Sequence, residues 1–586
     1  MNTKAPSTHQ KAQKLQRKIL QSLKQEVALL LGEPPESIQR YERQARVDFA
    51  RLSPRLKSIA KTELVQAIQN AEVTFIADFH TFDQAQKTAL RLIRSAVRAQ
   101  ENWVIGLELV PSQYQNELNR YQRGQLSTTE FLKAISYDQQ WGFPWKNYAP
   151  IFQWARENQV PLIALNRPER LLRPSEEQDL HNRDQWAAGV ITDLFFQAKK
   201  RKEPLKMIVL YGELHVSSPH LPAELKVISK SFLKRSLSHV IIHQNDDQLF
   251  WKATRQEMDV QSQAVVLKKN IFCVLSSTPW AKLQSLINWA EAGPEEDQEM
   301  ESNSRTTPHS LNDTEADPLL RLHSGALDDY LHQMSLYGST IAEFLGVSPP
   351  SFESLNIYTI ENFNFLERVK KEGLFNRAEL SLIRYHVNQN RPLYLPRLSA
   401  AYLGSCSHNT LADLSAHHIL RCHSRSELFY SHQLEDFYRL CLEACFGFFG
   451  SLILNPHRKC DLLDDHQKRL KALSEGSPPN FPFEQEARQT TRLCLLNSFQ
   501  IPEEVRSALK AKKQEVALLL ACRYLGQILG KKLHRATLQG DLPAGLISST
   551  FLTRITSEPG FFQQRFEALC AVTSRISLGR TKNETL

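Results

Sequence analysis

No apolar run in this 586-residue chain approaches the roughly 20 residues that a bilayer-spanning helix requires; stretches such as Val516 to Ala521 fall far short, and no transmembrane segment is expected. The polar, basic start leads only into Val27-Ala-Leu-Leu-Leu31, without the apolar core and cleavage site of an export signal and without a lipobox-like cysteine, so the expected location is cytoplasmic. Nine cysteines, at 273, 406, 422, 441, 445, 460, 494, 522 and 570, lack the dense spacing of a disulfide scaffold and fit a reducing compartment. Strong charge is also missing: 72 Lys and Arg against 63 Asp and Glu leave +9. The basic runs, Lys11 to Lys24 and Lys199 to Lys202, have no interleaved aromatics and read as solvated helix faces, so no nucleic-acid partner is expected.

With 41% hydrophobic and 23% charged residues, the composition is that of a soluble protein long enough for two to four domains. Residues 1–54 read as a helical amino-terminal segment, and the helical pattern, with Leu15, Ile19, Leu23, Val27 and Leu30 on one stripe, extends over 10–70. Residues 55–290 alternate strands with helices such as Gln84 to Gln100, which predicts an α/β fold with a mainly parallel sheet covered by helices. Its late strands are His239 to Ile242 and Ala264 to Leu267, the latter continuing through Ile271 to Leu275. Residues 291–318 carry nine acidic side chains and Arg305 as their single Lys or Arg, and are read as an acidic disordered linker. A separate, predominantly α-helical domain is expected over 319–586, with periodic stretches at Leu434 to Leu454 and Lys510 to Leu529 and few hairpin signals. The octapeptide Lys24 to Leu31 recurs as Lys513 to Leu520 without matching flanks, so it reads as two similar amphipathic helices.

Two histidines each leave a strand-like apolar run: Val73-Thr-Phe-Ile-Ala-Asp-Phe-His80 and Met207-Ile-Val-Leu-Tyr-Gly-Glu-Leu-His215. Each follows a carboxylate by two residues, and extended geometry puts residues i and i+2 on one face, pairing Asp78 with His80 and Glu213 with His215. Trp103 to Glu108 ends in a carboxylate and Pro161 to Asn166 in an amide. Four strands thus deliver polar groups at one end, where open α/β sheets bind ligands.

The residues at these strand ends resemble the ChaN-like haem-binding uptake family, of the same superfamily as the Tiki proteases and erythromycin esterases. The resemblance covers about residues 65–280 and rests on Ala77-Asp-Phe-His80, Gly106-Leu-Glu108, Gly124 with Trp141 and Tyr148-Ala-Pro150, Pro161 to Asn166, His181-Asn-Arg-Asp184-Gln-Trp and Gly212-Glu-Leu-His215. Family members usually carry Gly-Glu-x-His at the first position; here Ala77-Asp78 shortens the carboxylate by one methylene, while Gly212 and His215 are retained.

The resemblance implies haem binding, and so a role in iron or haem handling. A haem iron needs an axial His, Tyr, Cys or Met and an aromatic, apolar cleft. His80, His215, Arg183 and Tyr148 are the candidate cofactor-binding residues, with Trp141, Phe143, Trp145 and Trp154 nearby in sequence; those aromatics also suit packing of helices on a sheet. A metal-dependent hydrolase is the alternative, with His80, His215 and Glu108 holding a divalent metal and Asp78 or Glu108 acting as catalytic base. A metal-free, esterase-like use of the same residues, or a non-catalytic scaffold, are further readings. Arg183 and Asp184 open a helical stretch, where Asp suits a cap; the resemblance also makes Arg183 a candidate for gripping a carboxylate or propionate. In the helical region Cys406, His408, His417, His418, Cys422 and His423 have no metal-ligand spacing and read as packing residues, and that domain is expected to meet a protein partner or to regulate.

Overall fold

The computed structural model describes residues 8–50, 52, 54–168, 176–256, 263–292, 325–359, 365–389, 391–404, 407–424, 434–456, 458–475, 482–510, 515–542, 544–555, 558 and 560–578. The chain divides into two units, one of residues 20–319 with 580–586, the other of residues 1–19 with 320–579. The helical amino-terminal segment is therefore shared between them. Of the acidic stretch 291–318, residues 291 and 292 close the helix Pro279–Ala292, and residues 293–318 lie outside those described.

The first unit is built on one sheet of eight strands: β1 (Lys57–Ile59), β2 (Val73–Asp78), β3 (Trp103–Pro111), β4 (Leu162–Asn166), β5 (Lys206–Gly212), β6 (His239–Gln244), β7 (Gln263–Lys268) and β8 (Ile271–Leu275). Their spatial order is β1-β7-β8-β6-β2-β5-β3-β4, and β8 through β4 pair in parallel. Period-two alternation sorts the side chains. Ile76, Ile105, Leu107, Ile208, Leu210 and Ile242 pack on one face beneath the helices Asp83–Ala96 and Trp145–Glu157. Val73, Phe75, Ala77, Val209, Tyr211 and Ile241 pack on the other beneath Glu176–Arg201 and Leu221–Leu233. Burial on both faces is what a parallel sheet demands, and it accounts for the unbroken apolar runs in the sequence.

Two local expectations are corrected. Residues 57–59, read as helical, add the edge strand β1 to β7. The segment 264–275, read as continuous, is an antiparallel hairpin of β7 and β8 that turns at Lys269 and Asn270, with Asn270 at φ +62°; asparagine tolerates that left-handed conformation better than most residues.

The second unit is mainly helical, with a small sheet that the sequence did not signal: β9 (Asn356–Tyr358), β10 (Leu393–Leu395) and β11 (Ala400–Tyr402), ordered β10-β11-β9. Strands of three residues are too short to show periodicity. The helix Leu434–Leu454 is long and apolar enough to cross a membrane, against the expectation that none would be, and 83% of its apolar window is buried inside the protein. It packs on Glu515–Gln539 at very close range, since a Cβ added at Gly526 or Gly530 would lie 2.5 Å from the carbonyl oxygens of Cys441 and Cys445.

Candidate functional site at the strand ends

Register decides which side chains meet. Asp78, last in β2, pairs with Gly212, last in β5. On the far side of β5, the pairing of β3 with β4 slips between Leu107 and Pro111, the stretch that carries Glu108; such irregularities re-aim side chains at strand ends. The Gly212 amide donates to Glu108 Oε2 at 2.5 Å. A Cβ at Gly212 would lie 3.2 Å from Glu108 Oε2 and 3.4 Å from both His80 Nε2 and His215 Cδ2. Glycine here leaves a small cradle on which two imidazoles and a carboxylate converge.

At the β2 end, His80 lies in the turn just after the strand, and its Nδ1 donates to Asp78 Oδ2 at 2.9 Å. Asp78 is buried and also accepts from Tyr148 Oη at 2.7 Å and from Gln86 Nε2. Burial disfavours the charged imidazole, but Asp78 and Glu108 outweigh it and raise the His80 pKa. Tyr148 is fully buried, and its hydroxyl braces the Asp78 carboxylate. Trp141, Phe143, Trp145 and Trp154 all pack against the core, and Trp141 and Phe143 also flank the His80 ring at centroid distances of 4.5 and 4.8 Å.

The β5 end differs from the sequence expectation. The strand stops at Gly212, so the i, i+2 rule no longer applies, and Glu213 turns away to pair with Lys282 at 2.5 Å. The carboxylate of His215 is Asp184, whose Oδ1 lies 2.7 Å from Nδ1. Capping by Arg183 and Asp184 is overturned too: their helix runs Glu176–Arg201, which places both well inside it. The acidic run Glu176 to Asp179 is the sequence signal that marks the true helix start. Burial lowers the His215 pKa to about 3 and raises that of Asp184 to about 7. Tyr41, on the helix Glu36–Ala45, donates to Asp184 Oδ2 at 2.5 Å and lies 2.9 Å from His215 Nδ1. It sits in a polar stretch with no motif around it, and sequence reasoning missed it.

Arg183 links β3 to β4, reaching Glu108 Oε1 through Nη2 and Asn166 Oδ1 through Nε at 3.1 Å. Glu108 thus has one oxygen on a guanidinium and the other on a backbone amide. Among the described residues no group of three or more His, Cys, Asp or Glu is placed to hold a metal ion, the set His80, His215 and Glu108 included. Both imidazoles have Nδ1 on a carboxylate; His80 Nε2 faces Glu108 Oε2 at 3.8 Å, and neither Nε2 has a hydrogen-bond partner among the described residues.

Residues 64–192, from the helix before β2 into the helix that carries Arg183 and Asp184, match the family model described as haem-binding uptake, Tiki superfamily, ChaN. This part of the α/β unit resembles the ChaN-like family. A solved structure of ChaN from Campylobacter jejuni, described as showing cofacial heme binding, is similar at 14% identity over 32% of this chain and 88% of that one, with a TM-score of 0.24. No curated protein matches the chain. The family match includes Asp78, His80, Glu108, Tyr148, Arg183 and Asp184 but stops short of His215, which the β2–β5 pairing brings in.

A cavity of roughly 640 Å³ lies beside β4, lined by Ser112, Gln115, Ile163, Trp186, Asp193 and Leu194 among others, and includes none of the clustered groups. In the helical unit His408 bonds to Tyr337, His418 to Tyr394 and Ser351, and His423 to Ser348, which is the packing role expected of them; Cys406 lies outside the described residues.

Proposed function

We propose that the strand-end cleft of the ChaN-like unit binds haem for iron or haem handling, with His80 and His215 as the iron-facing groups. The observation that carries this reading is the pair of imidazoles whose Nδ1 atoms are held by buried Asp78 and Asp184 while neither Nε2 has a hydrogen-bond partner among the described residues. A carboxylate behind the ring fixes the tautomer and raises the basicity of the outward nitrogen. Trp141 and Phe143 supply an apolar wall beside His80, and Arg183 sets a positive charge at the floor of the cleft. When bound, the group would supply the redox and ligand-exchange chemistry of its iron; the protein's part is to hold, orient and shield it. The matched family is one of haem-binding uptake proteins, which supports the same reading.

Titration of the full chain with haemin, followed at the Soret band, tests it. A saturable shift that disappears in His80→Ala/His215→Ala is expected; equal affinity in the double variant would sink the assignment.

A hydrolytic reading is favoured by one observation, the Asp78–His80 pair with its raised imidazole pKa and open Nε2, which is the arrangement of a general base. It takes hold if the chain binds no haemin and a hydrolytic activity is lost in Asp78→Asn.

A further inference from the structure

The amino-terminal residues that fold against the α/β unit lie outside the family match, yet they reach the loops that follow β5 and β6. Asp48 accepts from the Ser218 amide at 2.8 Å and lies 3.0 Å from His243 Nε2. Arg46 pairs with Asp246 at 2.6 Å and Lys24 with Asp247 at 2.9 Å. Tyr41 is fully buried at the centre of this strap, its ring stacked on His220 at 3.6 Å and 8°. The stack fixes the direction of its hydroxyl, which meets both Asp184 and His215.

We propose that Tyr41 is a positioning residue of the strand-end site: it locks Asp184 as the acceptor of the His215 Nδ1 proton and so keeps the His215 Nε2 lone pair available to a bound ligand. A neutral imidazole carries one ring proton, and the hydrogen bond at one nitrogen decides which face of the ring can act as a donor to iron. Asp184 Oδ1 alone could swing off Nδ1; with Oδ2 held by the Tyr41 hydroxyl, the carboxylate has two fixed points and cannot rotate. Without that restraint the ring is free to carry its proton on Nε2, where the proton blocks coordination. The ligand half of this inference rests on the haem reading, but the tautomer half does not.

The test uses the full chain without haem, labelled with 15N-histidine, with His215 assigned through His215→Gln and the tautomer read from long-range 1H–15N couplings at pH 8. The native chain is expected to show the Nδ1–H form. Tyr41→Phe keeps the stack on His220 and removes the hydroxyl; it should admit the Nε2–H form and weaken haemin binding roughly tenfold. Asp184→Asn, whose amide can donate to Nδ1, should convert the ring to Nε2–H and weaken binding at least as much. An unchanged tautomer in Tyr41→Phe would overturn the positioning role whether or not haemin binds. A changed tautomer in a protein that never binds haemin would uphold the positioning role and discard the haem reading.

Discussion

The β2 end and the β5 end build the same pairing, an imidazole Nδ1 on a buried carboxylate, by opposite routes. Asp78 and His80 are two residues apart, with the His80 side chain 22% exposed and Asp78 3%. His215 and Asp184 are 31 residues apart, and Tyr41, 174 residues from His215, completes the set. The two rings respond in opposite directions: the pKa of His80 is raised because its carboxylates outweigh burial, and that of His215 is lowered because burial dominates. Identical hydrogen bonding therefore gives one ring that is readily charged and one held neutral. At His80, desolvation is outweighed by the hydrogen bond and charge of Asp78 together with the charge of Glu108; at His215, desolvation is reinforced by the positive charges of Arg183 and His80 against Glu108.

The largest effect is expected from Arg183→Met, which acts on the Glu108 carboxylate between the two ends. It leaves Glu108, 3% exposed, without its cation, and removing one partner of a buried pair should lower the stability of the α/β unit by about 3 kcal/mol in urea denaturation. A loss below about 1 kcal/mol would mean that the ion pair does not hold the unit together.

Next in size are the supporting carboxylates. Asp78→Asn and Asp184→Asn should each weaken haemin binding about tenfold, the usual effect of removing the partner behind a ligating imidazole. Retained affinity in one of them would mark its ring as a bystander and reduce the site to a single ligand.

The pH dependence of stability without ligand separates the ends further. Because the folded pKa of His80 is raised, its protonated ring stabilises the fold fully below about 6.5, and that contribution is lost as pH rises through the folded value. Between about 4 and 6.5 the folded Asp184–His215 pair holds one proton, on Asp184, and the unfolded pair also holds one, on the imidazole, so the pair adds no slope there. Below about 4 the unfolded pair takes up a second proton and the pair destabilises the fold. Asp78→Asn should flatten the stability profile above pH 6.5, and a native-like slope in that variant would show that His80 is not its source.

The smallest effect is expected from Glu213→Gln. Its salt bridge to Lys282 is partly exposed, so stability should change by less than about 1 kcal/mol and haemin affinity should not change. A loss of binding comparable to that of Asp184→Asn would restore Glu213 as the partner of His215.

The local half of this site was legible in the sequence. Asp78, His80, Glu108 and His215 stand at the ends of apolar runs, and the parallel sheet follows from the alternation of such runs with helices. Glu213 was misassigned because strand geometry was extended past Gly212, where β5 ends and the chain turns. Asp184 was misread because its helix starts earlier than the motif suggested, and Tyr41 carries no local signal at all. The hairpin of β7 and β8 and the small sheet of the helical unit escaped for a related reason, since pairing partners of short strands are not encoded by periodicity.

One repeated octapeptide shows where sequence stops deciding. In Val27 to Leu31 and again in Val516 to Leu520 the same residues form helix, because their side chains and spacing favour it wherever they occur. Their burial is opposite: Leu29 is 87% exposed, while its counterpart Leu518 is 2% exposed. Helix formation is a short-range property of the backbone and its immediate side chains. Which face is covered, which carboxylate meets His215 and which tyrosine locks it depend on segments far apart in the chain, and only the packed structure brings those segments together.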